Sequence, residues 1–165
     1  MSPVDFTIEQ LVGAPLGTVE QRLLDADFVA ATSELPKLGD CRLLERSESG
    51  DRVTVRIHRR FDDRLPAAVT AVVDPAKLSW IEEIEHDLST HVSRCTFAPE
   101  HYPDRLKAGY RATLETMGDR THRLVDGQLS IRAFLASRPV ERAIVSGLRE
   151  YSEAEAELLS TWESS

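Results

Sequence analysis

The sequence predicts an α+β fold in which a seven-stranded, curved antiparallel sheet wraps around one long C-terminal helix, with two short helices after the first strand. Three observations predict it. Apolar residues alternate with a period of two most cleanly from Val53 to Phe61, and also in Asp5 to Val12 and Lys107 to Met117, the mark of half-buried strands among seven strand-like segments. The six later strands follow one another without the helical crossovers that parallel pairing needs. Only the last segment has apolar spacing of three and four residues over a length that could cover a whole sheet face.

The elements follow in order. Asp5 to Val12 places Phe6, Ile8 and Val12 on one face of a strand, which Gly13-Ala14-Pro15 ends. From Leu16 the spacing changes, and Leu16, Val19, Leu23 and Leu24 form the stripe of an amphipathic helix. A second short helix is expected from Asp27 to Leu35, closed by Pro36 and Gly39. Residues 41–61 read as a hairpin, turning at Ser47-Glu48-Ser49-Gly50-Asp51, with Val53, Val55, Ile57 and Phe61 alternating against Thr54, Arg56, His58 and Arg60. The alanine-rich segment Leu65 to Val73, bracketed by Pro66 and Pro75, is long enough for two helical turns.

Three strands are then expected, at Ser79 to Asp87, His91 to Ala98 and Lys107 to Met117, the last with Tyr110, Ala112, Leu114 and Thr116 on one face. Gly118-Asp119 turns the chain into a final strand from Arg120 to Phe134. Leu124 has the opposite parity to Leu129, Ile131 and Ala133, so Asp126-Gly127 reads as a bulge that returns both sets to the core, in preference to a hairpin turn. From Arg138 to Trp162, Val140, Ile144, Leu148, Tyr151, Leu158 and Trp162 form one stripe in which only Glu155 is off-type; such a helix is about 36 Å long.

The 165 residues, 41% hydrophobic, suffice for a single domain spanning 1–165. A net charge of -8 argues against nucleic acid as a partner, which requires a basic face. No apolar run approaches the length of a membrane span, and the N-terminus lacks the pattern of an export signal, so a cytoplasmic location without stable membrane insertion is expected. In that setting Cys41 and Cys95 read as reduced, buried thiols.

The opening helix Ala14-Pro15-Leu16-Gly17-Thr18-Val19-Glu20-Gln21-Arg22-Leu23-Leu24-Asp25, followed by a second short helix, resembles the start of START-like domains, the SRPBCC or helix-grip superfamily. The resemblance extends over essentially the whole chain in element order. Leu65-Pro66-Ala67-Ala68-Val69 and Arg138-Pro139-Val140-Glu141 make it look closest to an uncharacterised actinobacterial branch. The resemblance implies a cavity between sheet and helix and a small-molecule ligand within it.

The sequence contains no nucleotide-binding glycine loop, no zinc motif and no nucleophile elbow, so no cofactor is expected. His86 and His91 flank a turn and, with Glu85 or Asp87, would make a metal-like set; as exposed hairpin residues they would do nothing of the kind, and no metal is expected. Arg59-Arg60 with Asp62-Asp63-Arg64 reads either as an anion site or as a solvated cluster, and Gly147 as a close-packing position in the helix. More telling are polar residues with the parity of an apolar face: Arg59 after Val55 and Ile57, Glu82 and His86 with Trp80 and Ile84, and Ser93 with Cys95 and Phe97. Buried polar groups need partners, so these either meet each other, water or a ligand, or lie where the sheet opens to solvent.

The expected ligand-binding set is therefore Val55, Ile57, Arg59, Glu82, Ile84, His86, Cys95, Phe97, Tyr110, Leu148 and Tyr151. The function expected of it is binding or carriage of an apolar molecule, lipid-like or polycyclic, by a monomer or homodimer. Two alternatives stay open. One is a cyclase or dehydratase acting on a polyketide-like substrate, with His86 and Glu82 or Tyr110 as acid and base. The other is a filled-core interaction module or homodimer without ligand. The segment Leu65 to Val73 reads either as a lid over one end of the cavity or as a fixed plug completing the core.

Overall fold

The computed structural model describes residues 3–71, 73–132 and 137–164. Strand β1 (Val4–Val12) leads through α1 (Leu16–Leu23), α2 (Ala26–Ala31) and a 3₁₀ turn (Thr32–Glu34) into β2 (Leu38–Ser49) and β3 (Arg52–Phe61). A short helix α3 (Ala67–Thr70) and a second 3₁₀ turn (Pro75–Lys77) precede β4 (Ser79–Asp87), β5 (Val92–Pro99), β6 (Leu106–Met117) and β7 (Arg120–Ile131). Helix α4 (Ser137–Thr161) follows. The strands form one antiparallel sheet in the order β1-β7-β6-β5-β4-β3-β2, and α4 packs mainly on β1 and β7. This is the fold class expected from the sequence.

Local chemistry explains where elements start. The Asp25 carboxylate accepts hydrogen bonds from the backbone N–H groups of Asp27 (2.7 Å) and Phe28 (3.2 Å), so α2 begins one residue earlier than its apolar pattern suggested and gives way to the 3₁₀ turn at Thr32. His91 has φ of +60° and belongs to the turn before β5 rather than to the strand itself. Ala133 and Phe134 of the expected last strand, and Val72 of the alanine-rich segment, lie outside the described residues.

The expected bulge at Asp126-Gly127 is not formed. Pairing with β1 and with β6 runs without a shift through both residues, as Thr7 opposite Asp126 and Phe6 opposite Gly127 demonstrate. Leu124 simply faces outward, and Arg123 and Val125 face the core. Gly127 is required for another reason: a Cβ there would sit 2.2 Å from Cζ of Phe6, whose ring lies across the glycine. Gly147, by contrast, is not a tight spot, since a Cβ would meet the Lys37 Cγ at an ordinary 3.6 Å.

Three apolar clusters fill the space between sheet and helices. One, around Phe6, Leu129, Ile131 and Val140, takes in Val69 of α3, with Leu65 and Val73 packed against it. A second joins Val53, Val55 and Ile57 to Leu24, Val29, Cys41 and Cys95. A third joins Val12, Val19, Phe28 and Leu159, with the Trp162 ring edge-on to Phe28 at 5.6 Å. The fully buried leucine near the end of α4 is Leu159; Leu158, placed on the stripe by its spacing, is half-buried.

Candidate functional site

The middle of the sheet's inner face is polar. On β3 and β4 the alternation that buries Val55, Ile57 and Ile84 also carries Arg59, Glu82 and His86 inward, and all three are less than a tenth exposed. Arg59 Nε lies 3.0 Å from Glu82 Oε2, and its Nη1 donates to Thr32 Oγ1 (2.9 Å) and to Cys41 Sγ (3.4 Å). Its guanidinium also sits 5.8 Å from the centre of the Tyr151 ring, on α4. The indole N–H of Trp80 donates to Glu82 Oε1 at 3.2 Å.

A second buried ion pair lies on the opposite side. Arg123 Nη1 donates to Glu155 Oε1 (2.8 Å) and to Gln10 Oε1 (2.9 Å). Gln10 Nε2 donates to the same carboxylate oxygen (3.0 Å) and to the Ser152 carbonyl (2.8 Å), while the Tyr151 hydroxyl donates to Glu155 Oε2 (2.7 Å). Burial alone would raise the Glu155 carboxyl; the Arg123 charge, with the Gln10 and Tyr151 hydrogen bonds, more than offsets this and holds it below the usual carboxylate range. The two pairs are joined through Tyr151, which touches Arg59 with its ring and Glu155 with its hydroxyl. A polar belt thus crosses the interior from β3 and β4, through α4, to β7 and β1.

Beside this belt is a cavity of about 80 Å³. Of the residues expected to bind ligand, Ile57, Arg59, Glu82, Ile84, His86, Phe97, Tyr110, Leu148 and Tyr151 line it. Val55 and Cys95 do not. Both face inward, but Val55 is wholly enclosed in its apolar cluster, and the Cys95 thiol is buried in the same cluster, where burial pushes its pKa up. Val69, Leu65 and Val73 are also absent from the lining: α3 packs one layer back, in the cluster that contributes Phe6, Ile8 and Val125 to the cavity wall.

His86 is the chemically distinctive residue of the lining. Its Nδ1 is 2.7 Å from Ser93 Oγ, directly across the β4–β5 pairing, while its Nε2 is buried without a hydrogen-bond partner. Burial, reinforced by the Arg123 and Arg46 charges, lowers its pKa to about 4, so the ring is neutral at physiological pH. An exposed hairpin role, one of the readings of the sequence, fits His91, which pairs with Glu20 at 2.9 Å, and not His86. The metal-like set is dispersed: Glu85 pairs with Arg52 on the outer face and Asp87 binds Ser89 in the turn. Among the described residues no group of histidine, cysteine or carboxylate side chains could hold a metal ion. Arg60, Asp62, Asp63 and Arg64 form an exposed surface cluster, in which Asp63 pairs with Lys37 at 2.5 Å.

His86, Glu82 and Tyr110, the acid and base of the enzyme alternative, all line the cavity, but His86 and Glu82 are not in contact. They lie four residues apart on one strand, roughly 13 Å at the rise of a β-strand, and each is engaged elsewhere, His86 with Ser93 and Glu82 with Arg59 and Trp80. Polar residues of the site absent from the expected set are Gln10, Arg123, Ser152 and Glu155, and the apolar lining residues Phe6, Ile8, Leu23, Phe28, Val29 and Val125 are absent from it too. Gln10 has the parity of Ile8 and Val12, and Glu155 breaks the apolar stripe of α4, so both carried a signal. Arg123 was hidden by the supposed bulge, which turned Leu124 inward in its place.

Comparison with known proteins identifies the lineage. The chain belongs to the family described as "Protein of unknown function (DUF2505)", whose model matches residues 7–162. No curated protein matches by sequence. Among solved structures, the DUF2505 chain is similar to TTHA0849 from Thermus thermophilus, at 13% identity and a TM-score of 0.68, over 95% of this chain and 94% of that one. It is also similar to the Zhui aromatase/cyclase from Streptomyces sp. R1128 (16% identity, TM-score 0.61, 95% of each chain). Norcoclaurine synthase from Thalictrum flavum is a third (14% identity, TM-score 0.61, 96% of this chain and 88% of that one). At these identities the likeness is one of fold, and the fold is the START-like helix-grip fold. Among the described residues no helix is long and apolar enough to cross a membrane.

Proposed function

We propose that this DUF2505 protein binds an apolar small molecule, lipid-like or polycyclic, between the sheet and α4. The observation that carries the reading is the cavity itself: an apolar-walled space beside a polar belt, lined by His86, whose buried Nε2 has no partner. Most buried polar atoms in proteins are satisfied, and apolar pockets with a few converging polar atoms are the usual form of a small-molecule site. The solved neighbours include an aromatase/cyclase and norcoclaurine synthase, so this fold elsewhere houses proteins that act on small organic molecules.

The cavity of about 80 Å³ is smaller than the roughly 300 to 1,000 Å³ of ordinary ligand pockets, so occupation requires its walls to move apart. Leu148 and Phe97 are lining residues that are only half-buried, and the movement is assigned to them. The reading takes the chain as one domain, in the cytoplasm, as a monomer or homodimer, with Cys41 and Cys95 free and buried. Native mass spectrometry of protein purified from its host, alongside titration with the neutral dye Nile red, tests it. Retention of a small molecule or saturable dye fluorescence at one site per chain is expected. No copurifying mass, together with no Nile red uptake, would overturn the proposal in favour of a filled-core module.

A further inference from the structure

Resting on that reading, we infer that the cavity selects an uncharged ligand bearing one hydrogen-bond acceptor oxygen, such as a ketone, ester or ether, and holds that oxygen at His86 and Arg123. Two lines of accounting lead there. The first is charge. The cations lining the cavity are Arg59 and Arg123, and each is matched by a buried carboxylate, Glu82 at 3.0 Å and Glu155 at 2.8 Å. His86 adds no charge, because burial keeps its ring neutral. A carboxylate or ammonium on the ligand would find no counter-charge left, and a buried charge without one is strongly disfavoured.

The second line is donors against acceptors. Both Glu155 oxygens accept, from Arg123, Gln10 and Tyr151, and both Glu82 oxygens accept, from Arg59 and Trp80. The Tyr151 hydroxyl donates its proton to Glu155. What remains buried and unpartnered along the lining is nitrogen: Arg123 Nε and His86 Nε2. Arg123 Nε–H can only donate. The inferred His86 tautomer is the one in which the Ser93 hydroxyl donates to Nδ1 and Nε2 carries the proton, because a donor there converges with Arg123 Nε–H on one acceptor. The Nε2 resonance tests the choice. The surplus is of N–H donors, so the missing partner is an acceptor. The rest of the lining, including Ile57, Ile84, Phe97 and Val125, asks only for hydrocarbon.

Three one-ring probes of similar shape test this: ethylbenzene, acetophenone and benzoate, titrated at pH 7 into the full chain and into His86→Leu and His86→Gln. The preference for acetophenone, read as the ratio of the ethylbenzene Kd to the acetophenone Kd, is expected to fall about tenfold in His86→Leu. It should recover in His86→Gln, whose amide keeps an N–H donor. Benzoate is expected not to compete. In the unmodified protein the His86 Nε2 resonance should move with acetophenone and not with ethylbenzene, a readout that needs no variant to fold. A ratio unchanged by His86→Leu, an Nε2 resonance indifferent to the ketone, or benzoate binding as tightly as acetophenone would overturn the inference. Ethylbenzene binding without any ketone preference sinks the inference and leaves the proposed function standing; failure of all three probes and of Nile red sinks both.

Discussion

Two successive turns of α4 meet the rest of the molecule by different physics. Near its C-terminal end the contact is hydrocarbon: Leu159 is fully buried among Val12, Val19 and Phe28, and the Trp162 ring closes the cluster edge-on. One turn earlier, Glu155 stands where a leucine would continue the stripe, and it ties the helix to β7 and β1 through Arg123 and Gln10. The hydrocarbon end obtains stability from area removed from water, without directional demands. The belt obtains little net stability, since desolvating two ion pairs consumes most of what their attraction returns, but it fixes geometry and leaves a cavity with unpaired N–H groups beside it. A chain selected only for folding would have extended the first arrangement. The presence of the second is the strongest reason to look for a ligand there.

The sharpest way to break the comparison is Glu155→Ala, which strands Arg123 without its counter-charge in a buried site. Urea unfolding should record a loss of about 4 kcal/mol, and the double variant Arg123→Met with Glu155→Leu should recover most of it. If the double variant is as unstable as the single one, the belt is a net stabiliser and the contrast fails. At the other end, Leu159→Ala removes hydrocarbon alone and is expected to cost about 3 to 4 kcal/mol, with the added signature of a cavity that no ion-pair swap rescues.

The third effect is one of pH. The His86 pKa falls from its ordinary 6.5 to about 4 on folding, so the unfolded chain takes up a proton first as the solution is acidified. Stability is then lost progressively as pH drops from 6.5 through 4, by about 3 kcal/mol in all, and the loss should be absent from His86→Leu when melts at pH 7 and 4.5 are compared. Equal pH slopes in the two proteins would place His86 in contact with solvent. Smallest is Gly127→Ala, where the new methyl displaces the Phe6 ring on the cavity wall; about 1 to 3 kcal/mol is expected, with altered probe binding because Phe6 lines the cavity.

Most of the fold was legible because periodicity is a local property. Val53, Val55 and Ile57 announce a strand and its inner face without reference to any partner, and the same parity gives Arg59, Glu82 and His86 an inward position that their burial decides against a solvent-open strand end. The site was only half legible because burial of a charge is not local. Glu155 and Arg123 are 32 residues apart, and neither is tolerable inside without the other. Read alone, Glu155 was an imperfection in a stripe, and Arg123 was turned outward by an assumption that hydrophobic Leu124 must face the core. The register of β7 against both its neighbours, which decides that question, depends on β1 and β6 and cannot be read from β7 itself.

The account stands or falls on whether an apolar molecule enters beside the belt rather than elsewhere. Methyl-resolved NMR of the isotopically labelled chain titrated with ethylbenzene asks this directly. Saturable shifts are expected at Ile57, Ile84, Val125 and Leu148, which line the cavity, with Val12, Val19 and Leu159 of the hydrocarbon end unmoved. Shifts confined to the exposed Leu11, Leu44 and Met117, or no shift at saturating ethylbenzene, would contradict it.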